Sequence, residues 1–317
     1  MPAKVELPHN NNSRGGYMSQ QGTIKRYSLI IKKVEEDFYP NFKQLTEYLH
    51  EKGFEVSGRT IQRDIEQLDA EFGLKISYSR QHNGYFIAEE DKIQLEPFMK
   101  FMDVFHTAEV LRNSLANSRE TLDCIAFDTA ERMQGIEFLQ PLLQALREKR
   151  PVSFNYKTFF EGPPRRHSVH PYLLKEYQNR WYLVACYENA QKLYVFGLDR
   201  IAELKISDEQ FVPDPKIDPR RKFRDIIGIT TETGKMEKVV LSFTPQQGNY
   251  VKALPLHHSQ KPICDNDKEL QVELYLVPNF ELEQKILMHG ELVKVLKPAW
   301  LARNIKKSLQ QALEQYT

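Results

Sequence analysis

The chain has 317 residues, of which 41% are hydrophobic and 11% aromatic. That composition excludes a mostly disordered protein, and the length implies two or three domains. Lys plus Arg is 44 against 43 for Asp plus Glu, a net charge of +1, which taken whole argues against nucleic acid as a partner. The longest apolar run, around Trp181 to Tyr187, is too short for a membrane-spanning helix. No basic-then-apolar stretch opens the sequence, so export by a signal peptide is not expected. Cys124, Cys186 and Cys264 are odd in number and far apart, which excludes a disulfide framework and fits a cytoplasmic location.

Residues 1–22 carry Asn10, Asn11, Asn12, Gly15, Gly16, Gln20 and Gln21 and read as a flexible tail. Residues 23–90 read as three helices and a hairpin. Ile24, Tyr27, Ile31 and Val34 recur at helical spacing. Asn41 with Gln44 forms a capping-box pair for a second helix, which Gly53 ends. Ser57 can cap a third helix running to about Phe72, stopped by Gly73. Leu74 to Tyr78 and Tyr85 to Ala88 read as strands, with Asn83-Gly84 as the turn signal.

Residues 91–149 read as a helical linker or dimerisation segment. Val104, Ala108 and Leu111 form one stripe, Ile125, Ala130 and Met133 another, and Pro141 starts the last helix. Residues 150–212 alternate as strands, with Val152, Phe154 and Tyr156 and then Trp181, Leu183, Ala185 and Tyr187, and read as a small barrel. Residues 213–236, rich in proline and glycine, read as a linker. Residues 237–317 read as a βαββαβ sandwich with an extra terminal helix. The expected class is thus α+β and multidomain.

The third helix has an informative charge order. With Ile61 at 0° on a helical wheel, Ile65, Leu68 and Phe72 fall within about 40°, and Arg59 and Arg63 lie about 160° away. The arginines come early, while Asp64, Glu66, Asp69 and Glu71 come later. The helix macrodipole favours the reverse by about 0.3–1 kcal/mol per group. Such a face is either an ordinary solvated one or a reading surface aimed at phosphates and guanine edges, with the acids turned away from the DNA. Two preceding helices and a following hairpin favour the second reading, since this is the layout of a winged helix-turn-helix. Ser57, Arg59, Thr60, Gln62 and Arg63 are its candidate DNA contacts, with Arg80 and Asn83 on the wing. Residues 24–88 hold 10 basic and 10 acidic groups, so affinity should rest on specific contacts more than on bulk charge.

Ser57-Gly58-Arg59-Thr60-Ile61-Gln62-Arg63-Asp64-Ile65-Glu66-Gln67-Leu68, followed by Gly84-Tyr85-Phe86-Ile87, resembles bacterial winged helix-turn-helix repressors, most of all those with a WYL domain. Trp181-Tyr182-Leu183 is the tripeptide that names the WYL family. His170-Pro171-Tyr172-Leu173-Leu174 precedes it, and Phe196-Gly197-Leu198-Asp199-Arg200-Ile201 follows. Leu276-Val277-Pro278-Asn279, Gly290, Val293 to Leu296 and Pro298 resemble the family's C-terminal extension. The resemblance implies a winged helix-turn-helix, an Sm/SH3-like barrel that senses an effector, and a ferredoxin-like C-terminal domain.

Residues 147–180 hold eight basic and three acidic groups, interleaved with Phe154, Tyr156, Phe159, His167, His170 and Tyr172. Such a mixture suits an anionic, base-containing ligand, although an ordinary positive surface has the same composition. Carried over by position, Tyr156, Arg166, His167, His170, Tyr182, Phe196 and Arg200 are the candidate effector residues. His167 stands where many members have arginine, with Arg166 beside it. Trp181 shares a strand face with Leu183 and Ala185 and is assigned to the core.

No catalytic motif is found. Gly228 to Lys235 has the wrong glycine spacing for a phosphate loop, and Met236 replaces the magnesium-binding Ser or Thr. Neither His167 with His170 nor His257 with His258 has an acidic or cysteine partner at metal-site spacing, so no metal and no cofactor is expected. The expected function is a cytoplasmic homodimeric repressor, not an enzyme, that binds an inverted-repeat DNA operator and responds to a nucleotide or oligonucleotide. The resemblance adds phage-defence or stress genes as targets. Two other readings stay open: a single-stranded nucleic-acid binding protein, and a nucleotide-processing enzyme.

Overall fold

A computed structural model describes residues 13–37, 39–88, 91–114, 124, 134–160, 162–231 and 234–316. The chain forms two units, residues 1–128 and 129–317. Among the described residues no helix is long and apolar enough to cross a membrane.

The first unit begins with α1 (Ser13–Glu36), α2 (Phe42–Glu51) and α3 (Gly58–Phe72). A two-stranded hairpin, β1 (Ile76–Ser79) and β2 (Gly84–Ile87), and α4 (Lys92–Ser114) follow. Tyr27, Ile30, Ile31 and Val34 of α1 pack with Leu45 and Leu49 of α2 and with Ile61, Ile65 and Leu68 of α3. Ile76, Tyr85 and Ile87 of the hairpin and Leu95, Phe98 and Met102 of α4 complete one core.

The capping chemistry expected from the sequence is in place. Asn41 accepts from Gln44 N at 3.0 Å and Gln44 Oε1 accepts from Asn41 N at 2.8 Å. Ser57 caps α3, and Gly73 ends it in the left-handed conformation at φ 65°. Several expectations are corrected. α1 starts at Ser13, so residues 13–22 are helical rather than a tail, a segment with no proline to stop it. Gly84 is not a left-handed turn residue. That role falls to Asn83, at φ 51°, and Gly84 is needed because a Cβ there would run into the Tyr39 carbonyl. In α4 the buried stripe is Leu95, Phe98 and Met102, while Val104 is 58% exposed. The stripe of Ile125, Ala130 and Met133 lies outside the described residues.

The second unit opens with a 3-10 turn and α5 (Leu139–Glu148), whose first turn contains Pro141. Then come β3 (Val152–Tyr156), β4 (Arg165–Tyr177), β5 (Arg180–Cys186), β6 (Tyr194–Gly197) and β7 (Ile201–Ile206). They form one antiparallel sheet in the order β6-β5-β4-β3-β7. β6 and β7 sit at opposite edges of that order, yet only the 3-10 turn Leu198–Arg200 joins them. The sheet therefore has to wrap round to bring its edges together. β4 makes this possible. Its first half pairs with β3 and its second half with β5, with an irregularity at Pro171–Leu173. Leu183 and Ala185 pack inside with Phe154 and Phe196, and Trp181 joins them partly buried.

The described part of residues 213–236 is pinned rather than a loose linker. α6 (Pro219–Arg224) lies within them. Phe223 and Ile226 pack with Val184 and Cys186, and Ile227 enters the next core. That core is built on β8 (Glu237–Phe243), α7 (Pro245–Ala253), β9 (Lys261–Asp265), β10 (Leu270–Leu276), α8 (Phe280–Met288), β11 (Val293–Lys297) and α9 (Ala299–Glu314). The sheet order is β11-β8-β10-β9, all antiparallel. Val239, Leu241, Phe243, Val272 and Leu274 bury one sheet face against Leu282, Ile286, Leu301 and Ile305 of the helices.

Candidate nucleic-acid interface and effector site

In the first unit, α3 carries the expected two-faced pattern. Ile61 and Leu68 are fully buried and Ile65 nearly so, while Arg59, Gln62 and Arg63 are exposed. Ser57 is exposed but occupied. Its hydroxyl accepts from Thr60 N at 3.3 Å and meets Thr60 Oγ1 at 3.0 Å. These two residues fix the start of α3; Gln62 Nε2 donates to Glu66 Oε1 at 3.3 Å, and the free polar reach of that end belongs to Arg59 and Arg63.

Asp64, grouped in the sequence with the later acids, lies inside the core. Its side chain is 0% exposed, and Arg26 of α1 grips both its oxygens, at 2.6 and 3.0 Å. Tyr27 donates to Gln67 Oε1 at 2.8 Å, and burial pushes its phenol pKa up to about 12. These bonds set the rotation of α3 against α1 and so decide which face is left outside. Sequence reasoning grouped Asp64 with the other acids because of its charge. The signal that separates them is position, since Asp64 sits beside Ile61, Ile65 and Leu68 on the wheel.

At the hairpin tip, Arg80, His82 and Asn83 are all exposed. Asn83 Oδ1 accepts from Tyr78 OH at 2.6 Å. His82 stacks on Tyr39 at 4.2 Å and 16°, and Tyr85 N donates to Pro40 O at 2.9 Å. The hairpin is thus tied to the turn between α1 and α2, and the Arg80 side chain is left unoccupied among the described residues.

In the second unit the candidate effector residues divide. Tyr156, His167 and Phe196 form one aromatic cluster with Phe154, with ring centroids 5.2–6.3 Å apart. Tyr156 OH accepts from Gly197 N at 3.1 Å. The Arg200 guanidinium lies 5.0 Å from the Tyr156 ring and 4.3 Å from the Phe159 ring. Its buried Nε has no hydrogen-bond partner, and its nearest acid is Asp199 at 3.8 Å. Asp199 also faces Arg180 at 3.7 Å, so two guanidinium groups flank one carboxylate. Burial raises the pKa of Tyr182, opposed by Arg180 and Arg200, so Tyr182 belongs to the same neighbourhood. Burial also raises Tyr156, opposed by the Gly197 hydrogen bond and Arg200. This end of the sheet can hold an anion between cations and cover a flat ring. Phe159, Asp199 and Arg180 belong to it and were missed as effector candidates. Phe159 and Arg180 were visible only as members of a basic, aromatic stretch, and Asp199 as part of the segment after the tripeptide.

Arg166 and His170 lie elsewhere. Strand alternation sends them to the sheet face opposite His167. Arg166 donates to Ser153 Oγ at 3.1 Å. His170 stacks on Phe211 at 4.3 Å and 14°, and both line a polar cavity of about 890 Å³ with Ser153, Ser168, Tyr172 and Lys205. Burial lowers the pKa of both histidines. Arg165 lowers His167 further, and Glu188 opposes the shift at His170. His167 Nδ1 and Tyr187 OH are 2.5 Å apart. His257 and His258 both turn Nε2 to the Arg224 carbonyl, at 2.8 and 2.9 Å. No metal-binding group of three or more ligands occurs among the described residues.

Residues 137–206 match the WYL domain, residues 235–313 the WCX domain, and residues 24–81 the FokI D3 domain. No curated protein matches the chain. Among solved structures, it is similar to proteasome accessory factor B/C (PafBC) of Arthrobacter aurescens, at 17% identity and a TM-score of 0.31, over 95% of this chain and 47% of that one. It thus spans about half the length of that protein. A CRISPR Cas-related protein matches at 10% identity and a TM-score of 0.36, over 98% of this chain and 88% of that one. At those scores neither structure defines the fold here. The chain thus carries a WYL domain with a WCX domain behind it, in the positions where the tripeptide and the terminal segment stand, an arrangement consistent with the WYL-domain regulator family.

Proposed function

We propose that this chain is a sequence-specific DNA-binding transcriptional regulator. On this reading the head is a winged helix-turn-helix, with Arg59, Gln62 and Arg63 entering the major groove and Arg80 serving the wing. The observation that carries it is α3 itself. One side is locked into the core by Ile61, Asp64, Ile65 and Leu68, and the other presents two arginines one turn apart near its N-terminal end. The wrapped sheet is read as the Sm/SH3-like sensor barrel and the last domain as ferredoxin-like, since its strands run in the order that a βαββαβ chain gives. A homodimer would bind an inverted repeat and act as a repressor, because occupying a promoter needs no further surface. The effector is a nucleotide or short oligonucleotide at Arg200, Tyr156, Phe159 and Tyr182, where a phosphate can meet guanidinium and a base can meet an aromatic ring. Its binding would shift the balance between DNA-bound and free forms. Control of phage-defence or stress genes is part of the proposal, and catalysis is not.

The test is to map the duplex fragments bound by the purified protein, then repeat with Arg63→Ala. Losing a bidentate guanine contact should cost about 1–3 kcal/mol at one base position, about 5- to 150-fold, and relax specificity there. Duplex binding without sequence preference that Arg63→Ala leaves intact would refute the regulator reading. A second reading, single-stranded nucleic-acid binding, is favoured by the adjacent Phe159 and Phe160, 74% and 85% exposed. It predicts tighter binding to single strands than to any duplex, lost on Phe159→Ala.

A further inference from the structure

The pinned segment between the WYL and WCX domains carries a dense basic surface that the sequence reading treated as linker. α6 and the residue run before it hold Lys216, Arg220, Arg221, Lys222 and Arg224. All five are exposed. The helix under them is fixed. Pro219 and Phe223 are buried, with Phe223 packed among Val184, Cys186, Leu193 and Ile226. The Lys175 ammonium lies 5.1 Å from the Phe223 ring, adding a cation from the neighbouring strand. At the far end, His257 and His258 hold the Arg224 carbonyl, and the Asp225 carbonyl accepts from Val277 N at 2.7 Å.

Asp214, Asp218 and Asp225 offset the five basic residues only in part, leaving five basic against three acidic groups over residues 214–225. Asp214 Oδ1 accepts from Lys216 N at 2.9 Å, and Asp218 Oδ1 accepts from Arg221 N at 3.1 Å. Both carboxylates are used on backbone. Asp225 reaches Arg224 only at 3.8 Å. Lys216, Arg221 and Lys222 make no ion pair among the described residues. Arg221, Lys222 and Arg224 occupy the last turn of this six-residue helix, where the dipole favours cations, so the basic surface comes at no cost to the helix. A row of exposed cations, of which Lys216, Arg221 and Lys222 make no ion pair among the described residues, suits a repeating line of phosphates better than a protein partner, whose interface would need an apolar core. A rigid helix also loses little freedom on binding.

We propose that α6 and Lys216 form a second nucleic-acid contact, gripping the phosphodiester backbone of duplex DNA without reading its sequence. The contact adds affinity and salt dependence, while α3 supplies specificity. This rests on the DNA-binding reading of the head.

The test uses the full-length chain and a long duplex carrying the mapped site, titrated over a range of salt. The triple variant Lys216→Gln, Arg221→Gln, Lys222→Gln removes three exposed charges and no buried group. If each meets one phosphate, the slope of log K against log salt should flatten by about 2 to 3. Affinity should fall by a similar factor on specific and unrelated duplexes. Arg63→Ala should instead remove sequence preference and flatten the slope by about 1 at most. A triple variant that keeps wild-type affinity and slope, while the wild type binds duplex, overturns the second contact and spares the head. A triple variant that weakens binding while Arg63→Ala does nothing supports the second contact and overturns the head. A wild type that binds only single strands, or no duplex at all, overturns both.

Discussion

Arg26 and Asp64 offer the sharpest test of how α3 is held. Asp64 is fully buried and its only charged contact described here is the Arg26 guanidinium, itself 9% exposed, at 2.6 Å. Removing one partner strands the other charge in the core, which costs about 3–5 kcal/mol. Small domains are stable by about 5–15 kcal/mol in total, so Arg26→Ala should bring the head close to unfolding. Replacing both residues, Arg26→Met with Asp64→Leu, exchanges the pair for apolar groups of similar volume. That change should be about neutral, or stabilising by up to a few kcal/mol. Tryptophan fluorescence is blind to this region, because both tryptophans, Trp181 and Trp300, lie in the second unit. Amide hydrogen exchange on peptides covering α1 and α3 reads it directly. At about 1.4 kcal/mol per factor of ten, Arg26→Ala should cost about two to three and a half orders of magnitude of protection in α3. The double variant should recover it. Wild-type protection in Arg26→Ala, or equal losses in the single and double variants, would refute the idea that this pair clamps α3. The cycle also separates fold from recognition. The double variant should still bind DNA, since neither residue belongs to the exposed face.

Two further outcomes follow in the second unit. Glu281 is 4% exposed and accepts from Ile229 N at 3.1 Å, Thr230 N at 2.9 Å and Thr230 Oγ1 at 2.8 Å, with Asn279 Nδ2 at 2.9 Å on its other oxygen. Asn279→Leu should lose about 2–4 kcal/mol, since it also abandons the Ile227 carbonyl at 2.6 Å; urea unfolding followed by Trp300 fluorescence checks this, and an unchanged midpoint would count against it. Burial holds the His257 pKa down at about 4, with the neighbouring His258 adding to the effect. Its folded value lies below the unfolded one near 6.5, so the unfolded chain binds the proton more tightly. Stability from this group is complete above about pH 6.5 and falls as the pH drops toward 4, by about 3 kcal/mol overall. His257→Gln should flatten that slope in melts between pH 4 and 7, and an unchanged slope would assign it to other groups.

Local rules were readable from the sequence wherever one residue type meets one steric need. Asn41 with Gln44 and Gly73 after Phe72 both appear in the expected roles. Long-range relations were not readable. Gly84 looked like half of a turn signal, but its need for a missing side chain comes from the Tyr39 carbonyl, 45 positions away in the chain and adjacent only once folded. β9 is required by the βαββαβ pattern but has no local signal of its own, because its residues are almost all exposed and carry no apolar alternation. Residues 213–236 had the composition of a linker, yet Phe223, Ile226 and Ile227 bury themselves in two cores. Proline and glycine density marks irregular backbone, not freedom to move.

The candidate effector site shows the same limit on a finer scale. Alternation placed Trp181 with Leu183 and Ala185, and the packing agrees. A positional resemblance does not record which face a strand residue takes, and His167 and His170 differ by three positions, so they leave β4 on opposite sides. What joins the remaining residues is the turn between β6 and β7. It carries Asp199 and Arg200 across the mouth of the wrapped sheet, onto the Tyr156 ring of β3. Arg200 stands there because two sheet edges must be joined by three residues. Hence a change in that turn should disturb the closure of the sheet and the anion site together.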